Sequence, residues 1–412
     1  MKACFQSTNI LLPKKETHMN AWAVVACDQY TSQEDYWKNV EKIIKDLPST
    51  YHLIFPEVYL EKDDNRISHI HQKMEQYMDE HILEETIQDG FVLVERSTPS
   101  GVRLGLVGVI DLDAYDFTPG TSALIRATEG TIQSRIPPRL KIREGASIEV
   151  PHVMVLIDDP KQQLIESLYH KKETLTCLYD TDLMLEGGHV KGYAIEGTLA
   201  QEVNSLLYSL QQKSNGFFLA VGDGNHSLAT AKAYWENIKK NLTDNEATDH
   251  PARYAMVEVV NLHSPALIFE PIHRVLFHVQ SDALITSFQQ DLKSQNIPYQ
   301  EGNDIVFINK DKEVGFSLLH NDDRLPVDIL QHFLDRYLEE HQDISIDYVH
   351  GEEALLTLGR EENNCGIRLG AIDKNTLFPA IAAGGVLPRK TFSMGEAYEK
   401  RYYIECRQII KK

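Results

Sequence analysis

Residues 221–232, VGDGNHSLATAK, place two glycines, an aspartate, an asparagine and a histidine in five positions, behind the apolar run GFFLA and ahead of a helical pattern. A strand that breaks at glycine and resumes as a helix points backbone N–H groups and the positive end of the helix dipole at whatever occupies the loop. Phosphate suits such a loop best. The stretch is not a Walker A loop, since the Gly-Lys-Ser/Thr ending is missing, nor a dinucleotide G-x-G-x-x-G. A plain strand-to-helix turn accounts for part of it, with Gly222 and Gly224 at positive φ and Asn225 or Ser227 as N-cap. Such a turn leaves Asp223 and His226 unexplained, an ionisable pair able to bind a metal, orient a phosphate or move a proton.

A second segment carries the complementary charge. Residues 126–143 hold Arg126, Arg135, Arg139, Lys141 and Arg143 against Glu129 alone, in a chain of 412 residues whose formal net charge is −20. Arginine forks match phosphate and carboxylate oxygens, so RATEGTIQSRIPPRLKIR reads as an anion clamp with one carboxylate embedded in it. The alternative is a solvated basic strand paired with acidic neighbours. The Pro-Pro and Gly punctuation favours a shaped loop over a helix face. Asp28 closes the run WAVVAC, and Asp158 with Asp159 closes HVMVLIDD, positions suited to Mg²⁺ ligands or bases; Asp before Pro is also an ordinary turn, the better reading of 158 and 159. His273 and Arg274 in EPIHRVLF would contact substrate or mark a junction between lobes.

These loops need a framework. WAVVAC, HVMVLIDD and GFFLAV are runs of buried-strand type, FVLVERS and VRLGLVGVIDL straddle the TPSG turn as a hairpin, and helical periodicity occupies about 65–87, 160–174, 199–213 and 226–240. The expected class is α+β, a mixed α/β body. Past Arg274 the pattern restarts, with SDALITSFQQDLKSQ and PVDILQHFLDRYLEEH helical and DIVFINK and VGFSLLH as paired strands. Two lobes follow: residues 1–275 with the phosphate-binding loop, and residues 276–412 as a smaller α/β lobe.

Composition excludes several classes. The acidic balance repels polyanions and no helix-turn-helix is recognisable, so nucleic acid is not an expected partner. Five scattered cysteines without C-x-x-C spacing argue against a disulfide framework or a structural zinc site. No run approaches the roughly 20 apolar residues of a membrane helix, and the opening residues lack a secretory pattern. The expected setting is the reducing cytoplasm, with no membrane partner.

In chain order, RATEGT, RIPPR, EVPHVMVLIDDP, GDGNHSLATA, EPIHRV, DYVHGEEAL and GGVLPRKTF together resemble an uncharacterised bacterial and archaeal domain-of-unknown-function family, from about residue 20 onward. The loop itself resembles the D-G-x-H-R motif of the ParB/sulfiredoxin-like superfamily, whose members bind ATP or CTP or phosphorylate free serine. Asp223, Gly224 and His226 match that motif, and Ser227 stands where it has arginine. The departure removes a cationic phosphate contact, which Arg135, Arg139 or Arg143 would have to replace. The resemblance implies a ParB/sulfiredoxin-like nucleotide-binding core. It also implies nucleotide-dependent, kinase-type phosphoryl transfer to a small hydroxylated metabolite, serine or phosphoserine-like.

Within that expectation Gly222, Gly224, Asn225, Ser227, Arg126, Thr128, Arg135, Arg139 and Arg143 hold phosphates. Glu129, or in second place Asp28, accepts the hydroxyl proton, with Asp223 and His226 completing the catalytic set. Mg²⁺ accompanies ATP or ADP. A phosphatase using the same clamp, and a non-catalytic nucleotide-binding switch of ParB type, are the alternatives. Self-association of the chain stays open.

Overall fold

The computed structural model describes residues 2–60, 65–319, 324–388 and 390–410. His320 of VGFSLLH and Arg389 of GGVLPRKTF lie outside them. The chain divides into two compact units, Met1–Leu267 with Gly395–Lys412, and Ile268–Met394.

A mixed eleven-stranded sheet forms the larger unit. Its strands are β1 (Phe5–Gln6), β2 (Thr8–Pro13), β3 (Leu83–Thr98), β4 (Gly101–Asp111), β5 (Tyr115–Asp116), β6 (Ile125–Ala127), β7 (Met154–Ile157), β8 (Cys177–Asp182), β9 (His189–Ile195), β10 (Leu219–Asp223) and β11 (Tyr254–Asn261). Across the sheet the order is β8-β9-β3-β4-β11-β7-β10-β6-β5, with β1 on β4 and β2 on β3. β3 and β4 form the hairpin across TPSG, with Thr98 opposite Gly101. β7 runs parallel to β11 and antiparallel to β10, and β10 runs parallel to β6. Every residue of β7 and the first three of β10 are buried. Central strands covered on both faces have no solvent side, which is why these two read as continuous apolar runs.

Three helices matter for the site: α1 (Ile136–Arg143), α2 (Gly197–Lys213) and α3 (Asn225–Lys239). α1 carries proline in its first turn, where a missing N–H breaks no intrahelical bond. RIPPRLKIR, expected as loop, therefore opens a helix, and α1 packs against α3. Elsewhere the helical patterns overrun: the helices are Arg66–Asp79 and Ile165–Tyr169, and the residues from Leu83 onward join β3. Among the described residues no helix is long and apolar enough to cross a membrane.

Residues 395–410, expected in the second lobe, belong to the first unit because their strands pair there. Tyr402–Tyr403 runs antiparallel to Val24–Val25, and Arg407–Gln408 antiparallel to Ile148–Glu149. Ion pairs inside the unit hold this segment. Arg401 is 4% exposed and meets Glu258 and Glu405, each 1% exposed. Its Nη2 donates to Glu405 Oε2 at 2.5 Å, its Nε to the Pro151 carbonyl at 3.1 Å, and its Nη1 to Glu258 Oε2. Glu258 lies over Gly105 of β4, where any Cβ would strike its carboxylate. Arg103 donates to the Glu399 carbonyl at 2.9 Å and Arg96 to that of Tyr398 at 3.0 Å.

The smaller unit is an antiparallel sheet of β12 (His273–Phe277), β13 (Tyr299–Ile308), β14 (Glu313–Leu318), β15 (Ser345–Val349) and β16 (Asn364–Leu369), in the order β14-β13-β16-β12-β15. Helices α4 (Ser281–Ser294) and α5 (Pro326–Glu340) pack on it. Phe288 of α4 meets Phe307, Phe316 and Phe333 at ring distances of 5.3, 5.4 and 5.2 Å, which closes a core for this unit.

The Arg401 pairing yields a stability test. Arg401→Met strands two buried carboxylates, a loss of about 3–5 kcal/mol. Urea unfolding should register a destabilisation of that size, while the exposed-site control Cys177→Ala keeps the wild-type midpoint. An unchanged midpoint in Arg401→Met would refute the anchoring role.

Candidate functional site

β10 ends on a bulge. Val221 faces Val155 and Asp223 faces Met154, so Gly222 is the extra residue, and the bulge re-aims Asp223. Gly224 follows at φ 83° and ψ 27° as the N-cap of α3, with no side-chain cap. A Cβ there would stand 3.0 Å from Val153 Cγ2, so glycine is required twice over. Gly222, by contrast, does not adopt positive φ. Asn225 and Ser227, expected as caps, are the first and third helical residues.

The loop after β6 lies beside this turn. Thr128 Oγ1 donates to the Val221 carbonyl at 2.6 Å, and Asn225 Nδ2 reaches Thr128 Oγ1 at 3.5 Å. Ile132 N–H donates to His226 Nε2 at 3.3 Å. An accepting Nε2 assigns the proton of the neutral ring to Nδ1. His226 thereby latches the two loops. Glu129 is half-buried in the same loop.

The arginine clamp assembles only in part. Arg126 turns toward the start of β10: its Nε donates to the Ala123 carbonyl at 2.9 Å, and its guanidinium lies 4.4 Å from the Phe217 ring. Arg135 is exposed, and its carbonyl accepts from Arg139 Nη1 at 2.8 Å. Arg139 pairs with Glu57, and Arg143 with Glu149 at 2.6 Å. Arg139, Arg143 and Ser227 do line one cavity, of about 160 Å³. The cation at the loop comes from elsewhere. Lys400 Nζ stands 3.2 Å from Asp223 Oδ2, while Asp223 Oδ1 accepts the Gly224 N–H at 2.9 Å.

His152, 6% exposed, organises the neighbouring wall. Its Nδ1 meets Tyr403 OH at 2.7 Å, and its Nε2 lies 3.1 Å from Ser227 Oγ and 3.5 Å from Asp28 Oδ2. Tyr403 OH also accepts the Cys27 N–H at 3.1 Å. Burial disfavours the charged ring, but the Asp28 carboxylate, helped by Asp223 and Glu57, outweighs it and holds His152 above its ordinary value of 6.5. Burial likewise opposes ionised Asp28, yet His152, Gln29 and Lys400 keep it well below the usual carboxylate range. A Ser-His-Asp relay places serine and aspartate on opposite ring nitrogens. Here both sit at Nε2, so the arrangement is not a relay, and the Asp28 carboxylate favours the charged ring.

His273 and Arg274, expected to contact substrate, are interior residues of the smaller unit. Leu369 N–H donates to His273 Nδ1 at 3.2 Å, Arg274 Nε and Nη2 each donate to Gln331 Oε1 at 3.2 Å, and the guanidinium lies 5.2 Å from the Tyr348 ring. Burial brings Arg274 down to about 10. Asp158 pairs with His263 at 2.7 Å, and Asp159 accepts the Leu164 N–H at 2.9 Å, as a turn requires.

His152, Lys400, Tyr403 and Glu57 were not singled out from the sequence. The signal for Lys400 and Tyr403 was the run KRYYIECRQII, where Lys400, Arg401, Glu405 and Arg407 sit among apolar and aromatic residues. Charges in such a run must be paired inside the protein. A family model described as a protein of unknown function, DUF1015, matches residues 10–337. The chain belongs to this family.

The DUF1015 match spans Asp28, Glu129, His152 and the 222–227 loop, and ends before Lys400 and Tyr403. Among solved structures, the chain is similar to a conserved hypothetical protein from Pyrococcus furiosus (11% identity, 73% of this chain and 94% of that one, TM-score 0.34). It is also similar to a mutant free serine kinase in complex with AMP (10% identity, 73% and 90%, TM-score 0.38). A third is C-terminally truncated SbnI from Staphylococcus aureus (10% identity, 72% and 82%, TM-score 0.36). No curated protein matches the chain.

The His152–Asp28 pair generates a pH dependence. A histidine raised above 6.5 contributes stability that is complete below that pH and is lost as pH rises through its folded value. A depressed carboxylate withdraws its share only in acid. The melting temperature should therefore fall as pH is raised above about 6.5, and Asp28→Asn should flatten the fall. Parallel wild-type and variant profiles between about pH 6 and 9 would sink the pairing.

Proposed function

We propose that the 222–227 loop holds the phosphates of ATP or ADP, and that the protein transfers a phosphoryl group to a small hydroxylated metabolite. Serine is the acceptor that the loop's resemblance suggests, with phosphoserine as its product. The reading is carried by Lys400, a cation 3.2 Å from Asp223 at the helix-opening turn whose motif arginine is replaced by Ser227. Phosphoryl transfer asks little covalent work of a protein; position and charge neutralisation carry it.

In this mechanism the first-turn N–H groups of α3 and the Lys400 ammonium bind phosphate oxygens. Thr128, Asn225 and His226 hold the two loops in register. Asp28 and Asp223 are the carboxylates that would hold Mg²⁺, which takes one or two carboxylates alongside waters and nucleotide phosphates. The ion would add charge neutralisation on the phosphates. The acceptor oxygen bonds to the terminal phosphorus of the nucleotide, the bridging P–O bond to the leaving nucleotide breaks, and the hydroxyl proton goes to a carboxylate. That carboxylate is Glu129. Asp28, held ionised by its cations, is too weak a base for the task.

A thermal-shift panel of ATP and ADP, with and without Mg²⁺, tests the reading. A ligand at 100 times its dissociation constant adds about 2.7 kcal/mol to stability, enough to see. Wild type should shift with nucleotide, and Lys400→Met should lose most of the shift. Glu129→Gln should keep the shift and lose turnover by roughly 10²–10⁴-fold, the usual worth of a general base. Absence of any nucleotide shift in wild type overturns the assignment.

A further inference from the structure

The cavity beside the loop has a lining that phosphate binding does not call for. Its volume is about 160 Å³, and Leu53, Phe55, Met74, Ile148, Ala231 and Met256 form much of its wall. An apolar cavity of about 150 Å³ accommodates benzene, so a body of roughly six to eight non-hydrogen atoms fits. Besides Thr230 and the Arg139–Glu57 pair, polar groups enter this wall in two clusters. At one, Ser227 Oγ and Tyr403 OH flank His152. At the other is Arg143, whose Nη2 is held by Glu149 and whose buried Nε has no partner. Glu149 is itself shared: Oε2 accepts from Arg143, and Oε1 accepts from Arg407 and the Met256 N–H. Two guanidiniums on one carboxylate leave a positive charge in excess. The Arg143 side chain lines the cavity, so this surplus charge is on hand for an anionic ligand there.

We propose that this cavity binds the acceptor substrate, and that the acceptor is a hydroxylated carboxylic acid with a compact, branched apolar body. Its carboxylate meets Arg143, its hydroxyl lies at the Ser227, His152 and Tyr403 end, and its body fills the apolar wall. The inference rests on the phosphoryl-transfer reading and narrows the acceptor class. An α-ammonium group such as that of serine finds no carboxylate to receive it, since Glu149 spends both oxygens and Glu57 is paired with Arg139.

The test is a thermal-shift comparison on the full chain with α-hydroxyisovalerate as probe, L-serine, isovalerate and isoamyl alcohol as comparisons, and ADP with Mg²⁺ in parallel. α-Hydroxyisovalerate should give the largest shift of the four small molecules. Ala231→Leu, which fills the cavity wall and touches no ion pair, should lose that shift and keep the ADP shift. Arg143→Lys, which keeps the charge but loses the planar guanidinium fork, should weaken it, and this second variant guards against misfolding of the first. If serine shifts the protein as much as the hydroxy acid, or the hydroxy acid gives no shift, or Ala231→Leu leaves its shift intact, the acceptor class is wrong while the ADP result stands. If ADP alone fails, phosphoryl transfer falls, and the hydroxy-acid shift still decides the cavity.

Discussion

A guanidinium buried between two carboxylates cannot move without stranding both, and Arg401 between Glu258 and Glu405 is that constraint here. It fixes the course of residues 400–408 through the larger unit. The same segment then pairs on one side with Val24–Val25, just ahead of Asp28, and on the other with Ile148–Glu149, just ahead of His152. Asp28 and His152 are 124 positions apart in the chain, yet meet at 3.5 Å because one strand segment holds both approaches. Lys400 and Tyr403, flanking Arg401, arrive at Asp223 and His152 by the same anchoring.

The result is a site in which cations and carboxylates are matched: His152 with Asp28, Lys400 with Asp223, Arg139 with Glu57. Matched charges in a partly dry site make it stable when empty. On the proposed reading an incoming phosphate must compete for cations already engaged, which favours an anion that brings its own counter-charge over a bare one. Such an arrangement discriminates against simple anions without any contact devoted to rejecting them.

Much of the framework was legible. The β3–β4 hairpin, the buried strands β7 and β10, helices α2 and α3, and α4, α5, β13 and β14 of the smaller unit follow from periodicity, since burial on one or both faces writes itself into the spacing of apolar residues; β12, β15 and β16 were not read as strands. The 222–227 loop was legible as strand, turn and helix. What failed was pairing at long range. Arg126 and Arg139 belong to one basic stretch, yet a three-residue strand turns the first toward Phe217 and a proline-opened helix aims the second at Glu57. Arg274 looked like a substrate contact, and Gln331 and Tyr348 absorb it. Lys400 went unseen because the partner that explains it is 177 positions away. Sequence spacing reports which face a residue takes; it does not report which charge waits there.

Ser227 and Lys400 are best understood together. An arginine at 227 would stand beside His152 and extend into the cavity that Ser227 now lines. It would set a cation against a ring that the Asp28 carboxylate biases toward its charged form, and it would fill the cavity. A lysine reaching the loop from residue 400 avoids both conflicts. Its ammonium is a compact point charge on a flexible stem, able to rest on Asp223 and to swing to a phosphate oxygen, where a planar guanidinium would demand a fixed bidentate partner. Moving the cation off the helix leaves a small hydroxyl at 227 facing His152. A small side chain at 227 is thus the condition for a cavity to exist next to the 222–227 loop.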